Sequence, residues 1–167
     1  MHFTNTFLAL AASAVVANAA SVTFWPLDNS TRTIYFTSNP GSSSLPPVTV
    51  GLKNVTVQFP DQWVGNFYAV RKGQPNVPGM LGEVQFGGWK GLTYFDVSAI
   101  VTPGDHLNVK QMWPAQSQSP MSGCEVFPCN NAYYLPDDVQ TKTTLEVDLF
   151  TTLGVGSTGL SFGGQSY

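Results

Sequence analysis

Two carboxylates on neighbouring apolar segments are the first candidates for chemistry in this chain. Gly79-Met80-Leu81-Gly82-Glu83-Val84-Gln85-Phe86 is followed closely by Thr93-Tyr94-Phe95-Asp96-Val97-Ser98. An ionised carboxylate set among aromatic and β-branched residues is costly unless it is paired, hydrogen-bonded or open to a cleft. Glycoside hydrolysis often uses two such groups flanking the scissile bond, one as acid and one as base or nucleophile. Glu83 and Asp96 fit those roles if they face one cleft; capping a turn or accepting backbone N–H groups are the structural alternatives.

A second chemistry is stacking. Trp63, Phe67, Tyr68, Trp89, Tyr94 and Phe95 lie near one another in sequence. Sugar rings have apolar faces that stack on aromatic planes, so Trp63, Tyr68, Trp89 and Tyr94 are candidate binding residues. The alternative is core, because each aromatic buries a large area. Trp63 and Trp89 lie in or beside turn-like runs, which favours exposure.

Other devices lack their parts. His106 is the one histidine beyond the N-terminal segment, in the turn-like run Thr102-Pro103-Gly104-Asp105-His106, so a Ser-His-Asp device or a zinc site is not expected. Asp137 and Asp138 could offer oxygen to calcium, but no Asp/Asn-rich loop surrounds them, and no metal or cofactor is expected. A net charge of -3 supplies no basic footprint for nucleic acid.

The first 19 residues carry no Lys, Arg, Asp or Glu. Phe7-Leu8-Ala9-Leu10-Ala11-Ala12 leads to the small-x-small run Ala17-Asn18-Ala19, which reads as a secretory signal peptide. Its apolar core is shorter than the ~20 residues a membrane span needs. An extracellular location and no membrane partner are expected. Cys124 and Cys129 are the sole cysteines, and in an oxidising compartment they pair most simply with each other. Asn29-Ser30-Thr31 and Asn54-Val55-Thr56 are N-glycosylation sequons.

The elements that must position these residues are short strands. Charged residues make up 10% of the chain, far below the ~25% of ordinary domains, and Gly, Pro, Ser, Thr and aromatics fill the gap. Strands are expected at Ser21–Trp25, Thr33–Thr37, Val48–Leu52, Asn54–Phe59, Gly65–Arg71, Gly82–Phe86, Leu92–Val97, Val109–Trp113 and Thr144–Phe150, spaced as in a sandwich or barrel. Pro114–Asp138 is the longest irregular stretch and carries both cysteines. Residues 20–153 form one domain, and the Gly- and Ser-rich residues 154–167 are expected to be a flexible tail.

In order and spacing, several segments resemble the thaumatin-like proteins, in a short, cysteine-poor, secreted fungal form. The segments are Val57-Gln58-Phe59-Pro60, Gly65-Asn66-Phe67-Tyr68-Ala69-Val70-Arg71, Leu81-Gly82-Glu83-Val84, Phe95-Asp96-Val97-Ser98 and Pro128-Cys129-Asn130-Asn131-Ala132-Tyr133-Tyr134, the last leading to Asp137-Asp138. The resemblance implies an all-β antiparallel sandwich with an acidic cleft. Glu83 and Asp96 carry over into that cleft and Asp137 or Asp138 joins them. The family's cleft arginine has no counterpart in Asn76-Val77-Pro78-Gly79. The expectation is a secreted monomer that binds cell-wall polysaccharide, with β-glucan as a candidate, in defence or host interaction. The alternatives are a weak β-glucanase using Glu83 and Asp96, and a non-catalytic wall or effector protein.

Overall fold

The computed structural model describes residues 19–162; residues 1–18 of the expected signal peptide and the last five residues lie outside that range. Among the described residues, eleven strands build two sheets. β1 (Ala20–Pro26), β4 (Val55–Phe59), β8 (Val109–Pro114), β9 (Ser122–Gly123) and β11 (Asp148–Leu153) form the first, in the order β4-β1-β11-β8-β9. β2 (Arg32–Ser38), β3 (Val48–Val50), β5 (Val64–Arg71), β6 (Leu81–Gln85), β7 (Thr93–Ser98) and β10 (Lys142–Thr144) form the second, in the order β10-β7-β6-β5-β2-β3. The expected all-β, antiparallel-rich sandwich is what the chain adopts. One pair departs from that pattern: β1 and β11 run parallel, Ser21 facing Asp148 through Pro26 facing Leu153. Parallel neighbours need a long crossover, and here the rest of the domain supplies it.

Alternation along the strands decides which side chains meet between the sheets. Val22 and Phe24 from one sheet pack with Ile34, Phe67, Ala69, Val84, Phe95 and Val97 from the other, all essentially without solvent contact. Gly82 makes this packing possible, since a Cβ there would lie 2.4 Å from the Phe67 ring and 2.9 Å from Met112 Sδ.

The segment expected to be a single strand at Thr144–Phe150 is instead divided between the sheets. β10 pairs with β7, and the chain then bends so that β11 joins β1 and β8. Glu146 fixes the bend: its carboxylate accepts the backbone N–H groups of Gln116 and Ser117 at 2.7 and 2.9 Å. Cys124 and Cys129 form a disulfide, as expected, within a loop ordered around β9. The described part of the tail is tied down. Val155 N donates to Asp28, Ser157 Oγ and Thr158 N donate to Glu125, and the Phe162 ring sits 5.0 Å from Trp113.

Arg32, which nothing in its local sequence marked out, is buried at the end of the sandwich. Its guanidinium grips Asp28 with two bonds of 2.8 and 2.7 Å and also donates to the carbonyls of Ser30 and Leu107. The arginine and the Ser30 and Val155 N–H groups hold the Asp28 carboxyl well below the usual carboxylate range.

Candidate functional site

Glu83 and Asp96 stand directly opposite each other on β6 and β7. Both belong to the outer face of the six-stranded sheet, because their neighbours Val84, Phe95 and Val97 point into the core. The register extends the pair into a polar row across the sheet: Thr37 faces Asn66, Asn66 faces Glu83, and Glu83 faces Asp96. The loop from Tyr133 to Thr141 closes the row at its far end. Thr141 Oγ1 donates to Asp96 Oδ2 at 3.3 Å and lies 2.8 Å from the Tyr133 hydroxyl.

Aromatic rings flank this row. On one side Tyr35 and Tyr68 stack, with centroids 5.5 Å apart and planes inclined by 20°. The Tyr68 hydroxyl donates to Asn76 Oδ1 at 3.1 Å. On the other side Tyr94 donates to the Trp89 carbonyl at 3.4 Å. The Trp89 ring is 71% exposed, on a 3-10 turn (Trp89–Gly91) in which Lys90 has φ of 59° and lays its ammonium 4.2 Å from the ring centroid. The outer face thus presents half-buried or exposed aromatic surface on both sides of a carboxylate row.

The pair itself is electrostatically unusual. Asp96 is 6% exposed, and burial pushes its carboxyl up to about 8, with Glu83's charge and hydrogen bond adding to the rise and Thr141 and Lys142 opposing it. Asp96 Oδ1 is buried with no partner among the described residues. A proton held on Asp96 relieves the repulsion of two like charges. Directly opposite residues on one face of an antiparallel pair have Cβ atoms ~4.5–5.5 Å apart, so the two carboxyls act on each other as one pair on this face.

The other candidates divide. Tyr68, Trp89 and Tyr94 join Glu83 and Asp96 on one face. Trp63 does not: it is wholly buried, with its ring 4.9 Å from Phe59 and its Nε1 donating to Ser38 Oγ and Ser43 O. The turn at Pro60 that suggested exposure folds it inward, through Trp63 N donating to Pro60 O and Phe86 N donating to Trp63 O. Gly65 makes room for it, since a Cβ there would lie 2.8 Å from the indole and 2.3 Å from the Thr37 carbonyl. Asp138 caps its own loop: Oδ2 accepts Tyr134 N and Leu135 N, which lower its carboxyl below the ordinary range. Asp137 is exposed beside it, and the members of this loop that reach the row are Tyr133 and Thr141. Asn66, Tyr35 and Thr37 were missed because nothing in one strand reveals its register with the next; the alternation Asn66-x-Tyr68 was the available signal. Asn29 and Asn54 are both exposed. No group of three or more His, Cys, Asp or Glu among the described residues is placed to hold a metal.

No family model matches the chain. The crystal structure of the protein elicitor MoHrip2 from Magnaporthe oryzae superimposes with a TM-score of 0.60 at 14% identity, covering 82% of this chain and 100% of that one, and so shares the fold. The antigenic protein SchS21 of Stachybotrys chartarum is 71% identical over 144 residues, which span 86% of this chain and 100% of that protein. These findings overturn the thaumatin-like resemblance. Leu81-Gly82-Glu83-Val84 and Phe95-Asp96-Val97-Ser98 share with thaumatins what any half-buried hairpin shows, core residues alternating with outward polar ones. At that level of identity, the chain belongs to the family of the antigenic protein SchS21.

Proposed function

We propose that this chain is a secreted, non-catalytic host-interaction protein whose recognition face is the outer face of the six-stranded sheet, and that a neutral cell-wall polysaccharide docks there. The observation that carries this reading is the polar row Thr37-Asn66-Glu83-Asp96 between Tyr35/Tyr68 and Tyr94/Trp89. Flat aromatic surface stacks on the apolar faces of sugar rings, and the row offers hydroxyl, amide and carboxyl groups to sugar hydroxyls. Support for a host-facing role comes from two names: the 71%-identical relative is called an antigenic protein, and the protein sharing the fold is called an elicitor.

Affinity electrophoresis through gels with and without soluble β-glucan tests the docking. The wild type is expected to be retarded, Tyr68→Ala and Trp89→Ala to lose most of the retardation, and Glu83→Gln to release no less reducing sugar than the wild type. Equal mobility of the wild type in both gels would remove the polysaccharide. A fall in sugar release on Glu83→Gln would restore the glucanase alternative.

A further inference from the structure

A pocket of about 260 Å³ opens at the end of the sandwich, away from the carboxylate row. Its walls come from the end of β5, from the loop joining β5 to β6 and from the loop joining β7 to β8. Ala69, Val70, Pro75, Val77 and Leu107 give it apolar sides, and Arg71 and Gln74 stand at it as polar groups. The floor is rigid. Arg32 is held by Asp28 and reaches Asn108 Oδ1 at 3.4 Å, and Asn108 Nδ2 donates to both Asp105 oxygens at 3.0 and 2.9 Å. Asp105 also accepts Met80 N at 2.8 Å and Leu107 N at 3.1 Å, an approach that depends on Gly79, where a Cβ would lie 2.0 Å from Oδ2.

Charge in this pocket is unevenly used. Arg32 faces Arg71 across the β2–β5 ladder, but Asp28 neutralises Arg32. Asp105 is the carboxylate of the wall, its oxygens take four hydrogen bonds, and its field also bears on Lys110. The Arg71 guanidinium makes no hydrogen bond or ion pair among the described residues, although it stands half-buried at the pocket. A guanidinium fork is shaped to hold a carboxylate with two parallel bonds. Pockets of drug-sized ligands run from ~300 Å³ upward, so this one suits a smaller body.

We propose that this pocket binds a small monocarboxylate carrying a short hydrocarbon body, its carboxylate on Arg71 and its apolar part against Val77 and Leu107. The ligand is either a free acid or the C-terminal carboxylate of a peptide ending in an apolar residue. The site does not depend on the outer-face reading.

The test is NMR titration of the full secreted chain with hexanoate, with 1-hexanol as the uncharged control and with acetyl-glycyl-leucine and its amide as the peptide arm. Hexanoate is expected to shift the amides of Gln74, Val77 and Leu107 with a dissociation constant of about 1 mM, as befits so few atoms. Hexanol should bind about tenfold more weakly. Arg71→Gln should weaken hexanoate about tenfold, and Gln74→Glu, on the exposed loop, should weaken it in the same direction without touching the floor. Tighter binding of acetyl-glycyl-leucine than of hexanoate, lost in its amide, identifies a peptide terminus; the reverse order identifies a free acid. Equal affinity for hexanol and hexanoate, shifts confined to other parts of the molecule, or no shift at 50-fold the expected constant would overturn the proposal.

Discussion

Glu83 and Asp96 face each other across adjacent antiparallel strands, one half-exposed and the other buried beneath Thr141 and Tyr133. The sheet register imposes this: residues directly opposite on one face have Cβ atoms only ~4.5–5.5 Å apart. Because burial, then Glu83, raises the Asp96 carboxyl from 3.8 to about 8, the folded protein holds a proton that the unfolded chain has already released. Between about pH 4 and pH 8 the native state binds more protons, so stability falls as pH rises through that window and levels off above it. Each unit of difference is worth ~1.4 kcal/mol. Asp96→Asn is expected to flatten the slope and to raise stability at pH 8 by a few kcal/mol, read by urea unfolding at several pH values. A variant with the wild-type slope would show that Asp96 does not hold this proton.

Asp28 and Arg32 work in the opposite direction. The depressed carboxyl contributes stability that is fully present above the ordinary carboxylate range and is lost as pH falls below about 4. Arg32→Met leaves Asp28 next to a greasy side chain and strips donors from Leu107, Ser30 and Asn108. Removing one partner of a buried pair typically costs about 3–5 kcal/mol. Urea unfolding at pH 7 is expected to show a loss in that range, with part of it recovered in the double variant Asp28→Asn/Arg32→Met. A loss under 1 kcal/mol would mean that the knot is dispensable.

The two turn-flanking tryptophans should respond very differently. Trp63→Ala removes a wholly buried ring and leaves Ser43 O and Ser38 Oγ without their donor, which is expected to cost about 3–5 kcal/mol. Trp89→Ala removes an exposed ring covered by the Lys90 ammonium and should change stability by no more than about 0.5 kcal/mol. Thermal melts of both variants check the contrast, and a large loss for Trp89→Ala would place hidden contacts under that turn.

This contrast also marks what could be read from residues alone. Alternation in Asn54–Phe59 and the even spacing of short strands were visible and led to the right architecture, whereas whether Glu83 and Asp96 share a face depends on the β6–β7 register. Turn chemistry was not enough for Trp63, because a residue after a turn goes in or out according to the hydrogen bonds that close the turn. The parallel β1–β11 pairing joins residues 127 apart, such as Ser21 and Asp148, and no local pattern encodes it. Thr144–Phe150 read as one strand because its residues suit strands; the bend rests on Glu146 reaching back to Gln116 and Ser117. Arg32 shows the same limit, since its burial depends on an aspartate, two carbonyls and an asparagine brought from two separate segments.

Glycan occupancy follows from surface position. Asn29 lies in the β1–β2 turn and Asn54 immediately precedes the edge strand β4; both side chains are exposed. Exposed turns admit bulky additions freely, so Asn29 is expected to be occupied more fully than Asn54 after export from a eukaryotic host. Peptide mapping by mass spectrometry decides the order, and higher occupancy at Asn54 would contradict it.

The disulfide should matter less than its solitude suggests. Cys124 and Cys129 are separated by 5 positions, and closing so short a loop removes little freedom from the unfolded chain, about 2 kcal/mol by loop entropy. The loop also has its own supports. Cys124 N donates to Lys110 O at 2.9 Å, Gly123 N to Asn131 O, Cys129 N to the Tyr134 hydroxyl at 3.2 Å, and Asn131 Nδ2 to Met121 O at 2.8 Å. None of these bonds uses sulfur. The double variant Cys124→Ser/Cys129→Ser is therefore expected to fold, to lose about 2 kcal/mol in urea unfolding, and to keep the pH slope set by Asp96, which sits on a different sheet and is tied to the loop only through Tyr133 and Thr141. Intact-mass analysis of the wild type with and without reductant should show a two-proton difference and no alkylatable thiol before reduction. A variant that fails to fold, or that loses more than about 4 kcal/mol, would show that the bond and not the hydrogen-bonded loop holds β9 against β8.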